Sequence, residues 1–317
     1  MKSKLFHKFI FLRTYGTSSA WIGSANPALD VTAAGLISTP DPKKPTMNIK
    51  DQVAVITGAA GGIGRAVAKE LIDRGARAIG LVDASPKALE VADTFNREYD
   101  RPVAKAYVGD TTDEAFRRMV FQDLRKTYKH PSICVPAAAI TRDDLAVRVH
   151  KETHKATIYP VELFRKVTEV NFIAPIYWAL ETVAGIAEDR SAAGLKRWTP
   201  TEDMQGVIIL IGSIASSGNK GQISYSSAKA GLEGAAATLA MEAIYHGVRC
   251  GVIHPGFTDT PMVRALGEDY VKTKVLPQTQ LGRLIYPEEI ADAICFMIGN
   301  PAVSGQLWAD AGWRPSV

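Results

Sequence analysis

The sequence predicts an α/β fold, a doubly wound parallel sheet in a single domain. Three observations predict it. From residue 47 onward, short apolar runs rich in β-branched residues alternate with longer amphipathic stretches, the pattern of repeated βα units. The run VIILI at 207–211 is apolar without alternation, as a strand covered on both faces must be. A glycine-rich string, TGAAGGIG at 57–64, stands where the first apolar run gives way to the first helical stretch.

The first strand is expected at 53–56 and the first helix at 62–74, with the glycine string as the turn between them. Glycines at 58, 62 and 64 permit a tight turn and close approach of backbone to a pyrophosphate, whose charge meets the free N–H groups of the helix. That makes the fold Rossmann-type and makes Thr57, Gly58, Gly62, Ile63 and Gly64 expected cofactor contacts. The second strand, 78–82, runs into LVDAS and places Asp83 19 residues after Gly64. A carboxylate there accepts hydrogen bonds from adenosine ribose hydroxyls and repels a 2′-phosphate, so NAD(H) is favoured over NADP(H). Capping the helix expected at 86–98 is a second, compatible role for Asp83. The third strand, 103–108, leads into VGDTTD, where Asp110, with Thr111 beside it, is expected either at the adenine amino group or as a cap on the helix at 114–126.

A fourth strand at 133–135 is followed by two polar stretches, 142–160 and 188–205, expected as surface insertions on either side of a helix at 161–187. A strand at 206–211, a helix at 225–245, a strand at 249–253 and a helix at 287–298 complete the series. His150 and His154 fall four apart in a stretch that could be helical; the Lys-rich surroundings read as solvated surface, and no histidine or cysteine spacing suggests a metal. Trp308 and Trp313 are expected as packing or interface residues.

The chemistry is expected from Ser213, at the end of the VIILIGS run, and from Y-S-S-A-K twelve residues later. Positions i and i+4 share a helix face, so the Tyr225 phenol and the Lys229 ammonium reach one site. A neighbouring cation favours phenolate, which would bring Tyr225 below its ordinary value near 10. Ser213 would hold the substrate oxygen.

In this order, after TGAAGGIG, these residues resemble the active-site pattern of the short-chain dehydrogenase/reductase family, over residues 51 to about 312. The resemblance implies a nicotinamide cofactor, Tyr225 as general acid, Ser213 orienting a carbonyl, and Lys229 on the nicotinamide ribose. It also implies Asn171, in TEVNF, as a fourth catalytic residue supporting a water-mediated proton relay to the lysine. In HPGFTDTPM, Pro255, Gly256 and Thr260 match the family's cofactor contacts, Thr260 at the nicotinamide carboxamide. Within the family the strings ITRDDL, GNKGQISYSSAKAGLEG, PGFTDTPM and LGRLIYPEEIADAICFM are most similar to the 3-oxoacyl-acyl-carrier-protein reductase branch. The implied reaction is reduction of a 3-oxoacyl thioester, on acyl carrier protein or coenzyme A. Dehydrogenation of another secondary alcohol or polyol, and a non-catalytic NAD-binding subunit, remain the alternatives. The implied assembly is a homotetramer through the two long helices.

The chain also departs from the family. PAAA, 136–139, stands where NNAG is usual, the serine-to-tyrosine spacing is twelve rather than thirteen, and Met204 and His246 fall near the places where arginines dock carrier protein. A coenzyme A thioester gains from the last of these.

The formal net charge of +4 sits entirely in residues 1–46, which hold six basic and two acidic side chains; residues 47–317 are balanced. That removes the basic-domain argument for nucleic-acid binding. No run reaches the roughly 18 consecutive apolar residues of a membrane span. Residues 1–46 read as an extension, either a basic, hydroxyl-rich transit peptide or the product of a start upstream of Met47, with the domain at 47–317. A cytoplasmic location is expected, or the mitochondrial matrix if the extension directs import. Three widely spaced cysteines suit a reducing compartment.

Overall fold

Every residue of β1 (Val53–Thr57) is buried, because this strand lies inside the sheet with helices on both faces. The structure, a computed structural model, describes residues 47–312. The reading of 1–46 as an extension, and that of Trp313, lie outside the described residues. Around β1 lie β2 (Ala78–Asp83), β3 (Ala104–Val108) and β4 (Ile133–Pro136); β5 (Val147–Val149) and β6 (Ala156–Ile158) form a separate antiparallel hairpin; β7 (Gly206–Ile211), β8 (Val248–Pro255) and β9 (Gly305–Ala309) complete the main sheet.

The main sheet is parallel throughout, in the order β3-β2-β1-β4-β7-β8-β9. Strand order therefore reverses between β1 and β4, and a crevice opens at the carboxyl ends of these two strands. Thr57 lies opposite Pro136 there, and Pro255 opposite Ala309 across the far pair.

Alternation along β1 divides the core. Ala54 and Ile56 face α1 (Gly62–Asp73), α2 (Lys87–Glu98) and the last helix, Pro287–Gly299, through Leu71, Phe95 and Ile294. Val53 and Val55 face the opposite layer, where α3 (Glu114–Thr127), α5 (Ala174–Ala192) and α6 (Ile223–Ala243) contribute Leu124, Trp178 and Leu232. The short α4 (Val161–Thr168) joins α5 through a π turn, Glu169–Ile173. The helix expected at 161–187 is thus two helices with a widened turn between them. Taken as one, Val161–Ala192 is long and apolar enough to cross a membrane by length and composition; here α5 packs on β4 and β7. Beyond β8 come α7 (Pro261–Arg264), α8 (Glu268–Tyr270) and then Pro287–Gly299, which is α9.

Two features differ from expectation. The hairpin β5–β6 occupies the polar stretch 142–160, and His150 and His154 close it; His154 takes φ 52° and donates its backbone N–H to the His150 carbonyl at 2.9 Å. No helix carries that pair. The seventh strand, β9, was not expected because GQLWA is an edge strand, partly exposed and bounded by polar residues.

Candidate active site

The glycine string forms the tight turn that its composition suggests. Gly58 and Gly62 take φ 67° and 53°, in the left-handed region. A Cβ on Gly58 would sit 2.8 Å from the Ala138 nitrogen, and one on Gly64 would run into the Gly58 carbonyl oxygen. Gly62 packs against the Thr260 methyl, so the turn after β8 closes over the turn after β1. Gly61 caps α1 without a side chain, and nothing stands within 4 Å of its missing Cβ. The first N–H groups of α1 are therefore free of a side-chain cap and open to an anion. This cradle fits a dinucleotide pyrophosphate.

Asp83 ends β2 and its carboxylate holds that turn: Oδ2 accepts from the Ala60 N–H at 2.9 Å and Oδ1 from the Ser85 N–H at 2.8 Å. It does not cap α2, whose first turn is met by Ser85 Oγ accepting from the Lys87 N–H. Nor does Asp110 cap α3. Its Oδ1 accepts from the backbone and hydroxyl of Thr112, while Asp113 accepts from the Phe116 N–H as the cap. Thr111 is buried, and its carbonyl accepts from Trp178 Nε1 at 2.9 Å, which ties this loop to α5.

Thr57, buried at the end of β1, compensates for the plain PAAA segment. Its Oγ1 accepts from the Ala138 N–H at 3.0 Å and its carbonyl from the Ala137 N–H at 3.2 Å. Asn171 secures the next residues: Oδ1 accepts from the Ile140 N–H at 2.9 Å, and Nδ2 donates to the Ile140 carbonyl at 2.8 Å. Asn171 is fully buried within the π turn. Its amide is thus engaged with backbone rather than directed at Lys229.

Ser213 follows β7 and starts a tight 3₁₀ turn, its Oγ accepting from the Ala215 N–H at 3.1 Å. Tyr225 is the third residue of α6, and Lys229 lies one turn on, its Nζ 5.7 Å from the centre of the Tyr225 ring. Nζ donates to the Ile211 carbonyl at 2.7 Å, reaching across to the end of β7. Ser213, Tyr225, Pro255, Gly256, Thr260 and Ile63 line one cleft of roughly 150 Å³.

Burial governs the titration of the pair. It lowers the Lys229 ammonium to about 8. It raises the Tyr225 phenol above its ordinary value; the Ser213 hydroxyl works against that rise and Asp143 adds to it. The direction is opposite to the one expected from a neighbouring cation. A phenol held neutral is the form that can donate a proton.

Further residues shape the cleft without having been anticipated. Asp143 lies on its rim and accepts from Gln222 Nε2 at 2.8 Å. The Tyr159 hydroxyl donates to the Arg142 carbonyl at 2.5 Å and contacts Ser224 Oγ at 3.0 Å, fixing the hairpin's root beside the start of α6. His254, buried within β8, lies directly behind Ser213. A histidine closing the apolar run CGVI was the available signal.

The short chain dehydrogenase family model matches residues 52–271, and the chain belongs to that family. It is an oxidoreductase of a family that binds NAD or NADP. Among known proteins it is similar to the 3-oxoacyl-[acyl-carrier-protein] reductase FabG of Escherichia coli (strain K12), 33% identical over 81% of this chain and 93% of that one. The (3R)-3-hydroxyacyl-CoA dehydrogenase of Rattus norvegicus is 31% identical over 79% of this chain and 90% of its own length. The crystal structure of gox2181 superposes with a TM-score of 0.71 at 22% identity, covering 84% of this chain and 97% of that one, a likeness of fold.

Proposed function

We propose that this protein is an NAD(H)-dependent oxidoreductase that reduces a 3-oxoacyl thioester, carried by coenzyme A or acyl carrier protein, to its 3-hydroxyacyl form. The observation that carries the reading is the convergence of Ser213, Tyr225 and Thr260 on one cleft beside the glycine cradle, with Lys229 one helical turn behind the tyrosine. The names of the bacterial reductase and the rat dehydrogenase support the substrate class.

When bound, the nicotinamide cofactor supplies the hydride. The chain's own residues manage the oxygen. The Ser213 hydroxyl donates a hydrogen bond to the substrate carbonyl, and Tyr225, kept protonated by burial, delivers its proton as charge develops there. Lys229 holds the nicotinamide ribose and lies close enough to the phenol to favour the phenolate left behind. Asp83, at the tip of β2, accepts from the adenosine ribose and disfavours a 2′-phosphate, which selects NAD(H). Asp110 and Thr111 border the adenine. The large apolar side chains exposed on α5 and α6, Tyr177, Leu180 and Met241, favour a homotetramer formed through these helices. We place the protein in the cytoplasm, or in the mitochondrial matrix if residues 1–46 direct import.

Purified protein assayed with acetoacetyl thioesters of coenzyme A and of acyl carrier protein, using NADH and NADPH in parallel, tests the proposal. Oxidation of NADH by either thioester is the expected result. Cofactor binding without turnover across a wide ketone panel would overturn it in favour of a non-catalytic subunit, and a clear NADPH preference would refute the role of Asp83.

A further inference from the structure

His254 is fully buried, yet no step of the proposed reaction uses it. Its imidazole stacks on Trp308 of β9, ring centres 4.2 Å apart. Nδ1 lies 3.3 Å from the Ser213 backbone nitrogen, 3.2 Å from the Ser213 carbonyl oxygen and 3.3 Å from Ser216 Oγ. Nε2 makes no well-formed hydrogen bond among the described residues; the Gln306 side chain lies beside the ring, Glu233 Oε1 on α6 is 3.9 Å away, and Gln306 Nε2 donates to the other oxygen of that carboxylate at 3.1 Å. The ring fits here because residue 212 is glycine; a Cβ there would stand 2.5 Å from Nδ1.

One nitrogen cannot both accept from the Ser213 N–H and donate to the Ser213 carbonyl. The Nε2–H tautomer directs its proton toward the Glu233 carboxylate and leaves Nδ1 to accept from the Ser213 N–H. In the imidazolium both nitrogens carry protons, so Nδ1 faces the Ser213 N–H donor to donor and can bond only the acceptors beside it, the Ser213 carbonyl and Ser216 Oγ. Protonation therefore ends the bond to the Ser213 N–H and moves the ring's hold to the carbonyl side of that residue. None of these contacts involves Ser213 Oγ, so the Glu233–His254–Ser213 chain is not a nucleophile-activating relay.

We propose that His254 is a positioning residue: in its neutral Nε2–H form, oriented by Glu233, it fixes the backbone of Ser213 so that the serine hydroxyl meets the substrate oxygen, and its protonation releases that alignment. The inference rests on the role given to Ser213 above. Burial lowers the His254 pKa, with the Ser213 backbone bond, Glu233 and Gln306 raising it and Lys229 lowering it further. The neutral form therefore prevails at neutral pH, and alignment is lost only under acid conditions.

The test compares full-length wild type with His254→Phe, His254→Asn and Glu233→Gln, using a thioester that wild type reduces, over pH 5 to 8. NADH binding and thermal unfolding of each variant are followed alongside. Phenylalanine keeps a ring against Trp308 and lacks the acceptor; kcat is expected to fall about 10- to 100-fold, the scale of a small misplacement of a reacting group, with NADH affinity retained. Asparagine supplies an acceptor oxygen that does not titrate, so kcat is expected to recover and the acid limb of kcat to vanish. Glu233→Gln withdraws the charge that raises the His254 pKa, and the acid limb is expected to move to lower pH. Wild-type kcat in a folded His254→Phe, or an unmoved acid limb in both His254→Asn and Glu233→Gln, overturns the inference. If the phenylalanine variant does not fold, the other two decide it. Failure of wild type to reduce any thioester would instead overturn the proposed function.

Discussion

At the scale of single residues, burial works on Tyr225 and Lys229 in opposite senses, raising the phenol and lowering the ammonium to about 8. Replacing Tyr225 by phenylalanine removes the proton donor and little volume. Turnover of a confirmed substrate is expected to fall about 10²–10⁴-fold, the usual worth of a general acid, while thermal unfolding stays near wild type. Steady-state kinetics and a melting curve check this. Lys229 makes a separate prediction about stability. Between about 8 and the ordinary 10.5 its side chain is neutral in the folded protein and protonated in the unfolded chain, which then binds more protons. Stability contributed by this group therefore rises with pH across that window and is flat below it. Urea unfolding of wild type and Lys229→Met should show wild type gaining on the variant from pH 8 to 10.5, and a constant difference would contradict the burial of the ammonium. That Ser213, Tyr225 and Lys229 come together was legible in the sequence, because i,i+4 spacing on a helix puts the last two on one face. The bonding of Asn171 was not, because its partner, the Ile140 backbone, lies 31 positions away and carries no side-chain signature.

At the scale of elements, the turn from β1 into α1 contains glycines with different duties. Gly64 faces the Gly58 carbonyl with no room for a methyl group, whereas Gly61 faces open space. Gly64→Ala is expected to cost about 1–3 kcal/mol by overpacking and to weaken NADH binding. Gly61→Ala should cost less, about 0.5–1 kcal/mol from the preference for glycine over alanine at an N-cap, and leave binding intact. Denaturant melts and NADH titration compare the two. The strands β1 to β4, β7 and β8 could be read from apolar runs because each is covered on at least one face. The hairpin β5–β6 could not, since Val147, Val149 and Ile158 point into solvent and are embedded in charge. The π turn at 169–173 was hidden because one extra residue per turn barely disturbs a helical apolar period.

At the scale of the whole molecule, the balanced charge of residues 47–317 leaves apolar surface as the main basis for self-association. Met241, 72% exposed, and Leu180 are the side chains to test. Sedimentation of wild type is expected to give four copies, and Leu180→Asp or Met241→Asp smaller species. A monomeric wild type at micromolar concentration would contradict the assembly. The strand order has a further consequence for how the chain reaches its native state. Thr57, Asp83, Ser213 and Thr260, at or just beyond the carboxyl ends of β1, β2, β7 and β8, take their places only after these strands have joined a parallel sheet, whose contacts are long-range and slow to form. A partly folded chain has no complete cradle. A nicotinamide cofactor therefore binds the finished molecule and not its precursors, and at a hundred times its dissociation constant it withdraws about 2.7 kcal/mol from the unfolding equilibrium by mass action. Supply of the cofactor thus becomes a determinant of how long the protein survives proteolysis as well as of how fast it turns over.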